Sequence, residues 1–228
     1  MSWKPAWAST TTITKWTNNM KKTLSFLLIA AVLFSSCSAL RRQSASKIST
    51  ASLTNSLYNA AANKDKQITF RSLPQNLEEL RAMPEADMKD PYAVAALTVA
   101  VLMRYETSME DCFEMLNYLK GPDDLSAYDK GFLRDRFEGR KYYKVRSFFA
   151  GATPENNYTP VTPYKIKVRS NTSSFTSDGW ATLWLFSGGA DNPRTVKLRQ
   201  KKSTGQWFLN EILFLSDIRL PASEDPWN

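Results

Sequence analysis

The sequence predicts an α+β domain, and three observations carry that prediction. Apolar residues recur with a helical period from Pro74 to Phe137, and strict alternation replaces that period from Tyr164 onward. Capping residues and glycines mark where one segment stops and the next begins. The expected arrangement is N-terminal helices packed on a four-stranded antiparallel sheet, within a single domain over residues 67–228. With 43% apolar and 12% aromatic residues in 228, the chain carries enough apolar material for such a core.

Taken in order, residues 48–66 place Ile48, Leu53, Leu57 and Tyr58 among alanines and read as a weakly amphipathic helix. Gln67–Phe70 is strand-like, and Leu73-Pro74 opens a turn. Pro74 to Met83, with Leu77, Leu80, Ala82 and Met83 apolar, reads as a short helix stopped at Pro84. Asp90-Pro91 is an N-cap followed by proline at the first helical position. From Tyr92 to Met103 only Thr98 is polar, which predicts a central buried helix too short to span a membrane. Ser108-Met-Glu-Asp111 opens the next helix, which places Cys112, Phe113, Met115, Leu116, Tyr118 and Leu119 before Gly121-Pro122 ends it. Cys112 there is expected to be a small buried hydrophobe rather than a nucleophile. Ser126-Ala-Tyr-Asp129 opens a third helix that runs to about Phe137.

The strands follow. Tyr164, Ile166 and Val168 alternate with Lys165, Lys167 and Arg169. Trp180–Phe186, apolar apart from Thr182, reads as a central strand. Arg194–Lys201 turns Val196 and Leu198 inward, and Trp207–Leu215 closes a hairpin after the turn Lys202–Gly205. Trp180, Trp184, Trp207 and Trp227 could stack on a sugar or peptide, but strand positions predict core for most of them. A twisted sheet over a helical lid is similar to the NTF2-like cone, at the level of fold alone.

Before Asp65 every charge is basic. Met20-Lys21-Lys22 is a short basic start, Leu24–Phe34 has only Ser25 polar, and Ser35-Ser36 precede Cys37: the layout of a secretory signal peptide. The run Leu33-Phe34-Ser35-Ser36-Cys37 resembles the lipobox of bacterial lipoproteins. That resemblance implies cleavage before Cys37 and acylation of its sulfur and amine, with Phe34 where leucine is commoner. Cleavage by an ordinary signal peptidase is the competing reading. Residues 20–36 are therefore expected to be the signal peptide, residues 37–66 a tether with a weak helix, and residues 1–19 a mis-assigned extension ahead of Met20. Ser44-Ala-Ser-Lys47 matches an S-x-x-K pattern, but a tether has no packed site to lower a lysine pKa.

Several motifs come in close order: Asn117–Pro122, Leu125–Lys130, Phe132–Arg136, Phe149–Pro160, Ser187–Arg194 and Asp225-Pro-Trp227. Together they resemble a bacterial family known only as a domain of unknown function, number 6935, over roughly residues 68–228. The resemblance implies no activity, substrate or cofactor.

Within these motifs Tyr128, Asp129, Asp135, Asn157, Asp191 and Arg194 are the candidate ligand-binding residues. Tyr128, Phe132 and Asp135 are spaced to share a helix face, either a polar pocket wall or a solvated surface with ion pairs. The loop Thr153–Pro160, fixed by two prolines, is either functional or a rigid connector. Ser187–Arg194 offers two glycines for a close approach of backbone to a ligand. Its alternative is a wide hairpin loop in which Asp191 and Asn192 make turn bonds and Arg194 pairs with a carboxylate. It is no P-loop, since the lysine and the following helix are absent.

The chain has no histidine, which removes His zinc ligands, Ser-His and Cys-His nucleophile pairs and an imidazole switch. Two cysteines make neither a four-cysteine zinc site nor a disulfide framework. Asp123, Asp124 and Asp129 lack the glycine and terminal glutamate of a calcium loop. No catalytic residue, metal or cofactor is expected. The net charge of +8 is concentrated in the leader and tether: from Ile68 onward 21 basic residues face 21 acidic ones. Nucleic acid is thereby excluded as a partner. The expected function is a membrane-anchored envelope lipoprotein, attached through Cys37, outer-membrane in a Gram-negative cell. Its domain is a non-catalytic binding or accessory module for a small-molecule, glycan or protein ligand. The alternatives are a hydrolase using paired carboxylates such as Asp123, Asp124, Asp129, Asp135, Glu155 and Asp191, or a structural part of an envelope assembly.

Overall fold

A computed structural model describes residues 64–227, within the compact unit Leu57–Asn228. The expected extension 1–19, signal peptide 20–36, Cys37 and the tether up to residue 63 lie outside the described residues. Five strands, β1 (Asp65–Phe70), β2 (Tyr164–Arg169), β3 (Trp180–Leu185), β4 (Arg194–Lys201) and β5 (Gln206–Ile212), form one sheet in that spatial order. Every neighbouring pair is antiparallel. Between β1 and β2 come the helices α1 (Leu77–Ala82), α2 (Pro91–Leu102), α3 (Met109–Lys120), α4 (Ala127–Phe137) and α5 (Tyr143–Arg146).

The α+β class holds, while the expected four strands become five and the helices sit between strands instead of preceding them. The difference lies in β1. It pairs with β2 from Asp65↔Arg169 to Phe70↔Tyr164, across about ninety intervening residues. A local pattern shows that Gln67–Phe70 is extended but says nothing of a partner so distant in sequence. The strand also takes in Asp65 and Lys66, which had read as the end of the tether. Asp65 fixes this edge: Arg169 donates to it from Nε at 2.5 Å and from its terminal nitrogen at 2.9 Å, and Lys167 lies 2.9 Å away.

The middle of the fold is α2. Asp90 accepts from the Tyr92 amide at 3.0 Å and Pro91 takes the first helical position, as the sequence predicts. All eleven residues from Tyr92 to Leu102 are buried, and Thr98 satisfies its hydroxyl by donating to the Val94 carbonyl at 2.9 Å. Packed against α2 is the inward face of the sheet: Ile166 and Val168, Ala181, Leu183 and Leu185, Val196 and Leu198, and Leu209, all buried. Each large aliphatic side chain enclosed there contributes about 1.5–3 kcal/mol. Period-2 alternation then turns Lys165, Lys167, Arg169, Trp180, Trp184, Lys197 and Arg199 to the opposite face.

The tryptophans correct the expectation. Trp184 and Trp207 are half-buried, Trp180 is 38% exposed and Trp227 93% exposed, so none of the four belongs to the buried core. Alternation decides this, because Trp180 and Trp184 share the parity of Thr182 and not that of Leu183. The buried thiol of Cys112 matches its expected role, with its pKa pushed up to about 12 by burial. Ser108 caps α3 and Ser126 with Asp129 makes a full capping box on α4. Among the described residues no helix is long and apolar enough to cross a membrane.

The edge pairing is testable through pH. Hydrogen bonds from Arg169, opposed by burial and reinforced by Lys167, hold the Asp65 carboxyl well below its ordinary value of 3.8. A carboxyl depressed in the folded state contributes stability above its unfolded pKa and loses it as pH falls toward the folded one. Asp65→Asn should therefore destabilise the domain at pH 7 by at most about 1 kcal/mol, since the group is well exposed. The difference from the parent chain should shrink as the pH drops below about 4; urea denaturation at a series of pH values reads both quantities.

Candidate functional site

Strand β5 lies at the free edge of the sheet, beside α3 and α4, and two adjoining hollows flank it. One, of about 490 Å³, is lined by Lys120, Trp180, Arg199, Lys201, Phe208 and Asn210. The other, of about 380 Å³, is lined by Tyr128, Asp129, Phe132, Leu209, Ile212 and Leu213. They share Lys120, Leu209 and Asn210 and so form the two halves of one groove.

The two halves differ in chemistry. In the first, the Arg199 guanidinium sits 5.3 Å from the centre of the Trp180 ring, a cation–π pair open to solvent. Cross-strand pairing puts Trp180, Arg199 and Phe208 in a single row over β3, β4 and β5. Lys202 is paired with Asp178 at the rim. The second half is apolar, with Tyr128 80% exposed on one wall and Leu213 42% exposed on the other. Lys120 stands between them with its side chain only 12% exposed, 3.5 Å from the Asp129 carboxylate and 3.5 Å from the Asn210 carbonyl. The groove thus offers a flat aromatic surface and fixed cations at one end and apolar walls at the other. Gly121, which ends α3 with φ +77°, is needed twice over: any side chain there would be strained and would overlap the Phe208 ring.

Of the candidate residues, Tyr128 and Asp129 line this groove. Asp135 is exposed on α4 and lines neither half. Asn157, Asp191 and Arg194 all fasten the C-terminal segment. Arg194 donates to the carbonyls of Ser216 at 3.0 Å and Asp217 at 2.8 Å, so its partners are backbone oxygens and not the expected carboxylate. Asp191 lies 3.5 Å from Arg219, and Asn157 accepts from the Ser223 amide at 3.0 Å. Next to Asn157, Tyr158 is wholly buried and donates to the Arg219 carbonyl at 2.9 Å, its pKa raised to about 12 by burial. The loop Thr153–Pro160 is in this sense a rigid connector. Trp180, Arg199, Phe208 and Lys120 were not singled out as a set. Strand parity is the signal for Trp180, Arg199 and Phe208, and it needs the register of β3, β4 and β5 to become a row; Lys120, at the end of α3, has no such signal.

Two candidate carboxylates have displaced pKa values, and both move down. Asp129 is raised by burial but lowered by more through the Ser126 hydrogen bonds and Lys120. Glu155 is lowered first by the Thr153 hydroxyl. A general acid requires the opposite shift. Among the described residues no group of three acidic or cysteine side chains is placed to hold a metal ion.

The paired glycines of Ser187–Arg194 do permit a close approach, but to the protein itself. A side chain on Gly188 would overlap the Ala152 carbonyl, and one on Gly189 the Tyr158 hydroxyl. Gly188→Ala should therefore destabilise the domain by about 1–3 kcal/mol through overpacking against backbone. Chemical denaturation checks this, and a variant as stable as the parent chain would return this loop to the ligand-facing reading.

Comparison with known proteins bears on identity. A family model described as Domain of unknown function (DUF6935) matches residues 72–222. No curated protein and no solved structure matches the chain. Matched over more than half of its length, across the five helices and strands β2 to β5, the chain belongs to the DUF6935 family.

Proposed function

We propose that this chain is an exported lipoprotein, held at a bacterial envelope membrane by acyl chains on Cys37, and that its α+β domain is a non-catalytic binding module. The observation that carries the binding role is the two-ended groove along β5. A ligand that fits it is amphiphilic: a flat or anionic end on Trp180 and Arg199, and an apolar end between Tyr128, Phe132 and Leu213. Most binding sites combine apolar walls with a few fixed polar groups in this way. The lowered pKa values of Asp129 and Glu155 favour binding over acid catalysis. The NTF2-like cone remains a fold-level analogy, supported by a bulged antiparallel sheet closed on one side by α2. The anchor rests on the sequence from Met20 to Cys37, and outer-membrane placement applies to a Gram-negative host.

The two parts are tested separately. Cys37→Ala should release the protein from membranes or block its processing; a parent chain whose intact mass shows no acyl groups overturns the anchor. For the groove, the mature chain from residue 37 with Cys37→Ala should bind 1-anilinonaphthalene-8-sulfonate, an aromatic anion of the required shape, at one site. Tyr128→Ala with Leu213→Ser, both exposed and cheap to change, should weaken that binding by about tenfold, since 1.4 kcal/mol of lost contact corresponds to that factor. Binding unaffected by this pair would remove the groove as the site.

A further inference from the structure

The outward face of the sheet, opposite α2, carries a charge pattern that shares Trp180, Arg199 and Lys201 with the groove and extends well beyond it. Across it lie Lys165, Lys167 and Arg169 on β2 and Lys197, Arg199 and Lys201 on β4, six cations against Asp65 and Glu211. Asp65 pairs with Lys167 and Arg169, and Glu211 pairs with Lys197 at 3.0 Å. Lys165, Arg199 and Lys201 have no ion-pair partner among the described residues. Between the two basic strands run Trp180 and Trp184, with Phe186 following them. Phe186 is flanked by Lys167 and Arg169 at 4.5 and 4.6 Å from its ring centre, and Trp180 by Arg199.

The domain is neutral from Ile68 onward, so this excess is balanced elsewhere. From α1 through α3, residues 77–120 hold nine acidic side chains against four basic ones. The outward sheet face is thus cationic and aromatic and α1 to α3 are acidic, whereas residues 127–146, which hold α4 and α5, carry seven basic side chains against three acidic ones. The contrast between the sheet face and α1 to α3 favours the sheet face as the side turned toward an anionic surface. Interleaved lysine, arginine and tryptophan suit the headgroup level of a bilayer, where the cations meet lipid phosphates and the indoles settle in the interface.

We propose that this sheet face docks flat on an anionic phospholipid bilayer. The occupant follows from charge complementarity and from how the chain arrives. The 28 residues from Cys37 to Lys64 reach at most about 100 Å, and they lead into β1, the strand next to the basic β2. The inference rests on the lipid anchor only for bringing the bilayer within reach. Docking sets the orientation of an already anchored domain and leaves the acidic α1 to α3 facing away from the membrane.

The test uses the mature chain with Cys37→Ala, so that no acyl group contributes. It should sediment with vesicles of phosphatidylcholine and phosphatidylglycerol in equal parts, and not with phosphatidylcholine alone. Binding should weaken as salt screens the contact. Removing three unpaired cations, K165Q/R199Q/K201Q, should reduce partitioning roughly 100-fold, each basic residue near an anionic surface being worth about a factor of five or more. The matched variant R134Q/R140Q/K141Q removes the same charge from the exposed end of α4 and the turn after it, and should change binding by less than about threefold. Brominated phosphatidylglycerol should quench the parent chain, and W180F/W184F should lose most of that quenching. Absence of binding to the mixed vesicles, equal losses in the two triple variants, or equally tight binding to a soluble anionic polysaccharide would overturn the proposal. None of these outcomes bears on whether Cys37 is acylated.

Discussion

Eleven consecutive residues of α2, from Tyr92 to Leu102, are kept from water on every side, and this requirement organises the domain. A helix with an apolar stripe needs one neighbour; a helix apolar all round needs an enclosure. The inward face of the five-stranded sheet covers one side, and α3 with the 3-10 turns Pro84–Asp87 and Met103–Glu106 packs against the helix elsewhere. Of the two hydroxyls on these residues, that of Thr98 is satisfied within the helix by the Val94 carbonyl, and that of Tyr92 donates to the Ser170 hydroxyl at 2.6 Å. The enclosure therefore supplies a polar partner at the start of the helix, Ser170 just after β2, and is apolar around the rest.

Enclosing α2 from one side of the sheet leaves the other side open. Alternation along β2, β3 and β4 then has to place every second residue in solvent, and those positions are lysine, arginine, threonine and tryptophan. The free edge of β5 is met by the end of α3 and by α4, and the groove is the space left where they meet. Gly121 lets that corner close, because Phe208 occupies the volume a side chain would need. Fold and candidate site thus follow from the same packing problem.

The candidate residues divide: Tyr128 and Asp129 line the groove, and the three in loops hold the fold together. Asn157, Asp191 and Arg194 stood in glycine- and proline-marked loops, the usual address of binding residues. In the structure they hold the C-terminal segment from Ser216 to Ser223 against those loops. The glycines at 188 and 189 serve the same closure. Polar residues in an ordered loop have backbone groups of their own chain as near competitors for hydrogen bonds. Sequence alone does not say which partner wins.

Local features were read correctly where the cause is local. Asp90-Pro91, Ser108 and Ser126 with Asp129 act over three or four residues, so the starts of α2, α3 and α4 were legible. The alternation of β2 and β4 was legible for the same reason, as was the buried character of α2 and Cys112. The family motifs, too, are strings of neighbouring residues. By itself, then, the sequence determined the helix caps, the buried helix, the inward parity of the strands and the family. Tertiary structure decided the fifth strand, the exposure of Trp180, the row of Trp180, Arg199 and Phe208, and the gathering of six cations on one sheet face. Each of these depends on which strand lies beside which and on which side α2 takes, a choice made by burial over the whole chain and not by any window of it.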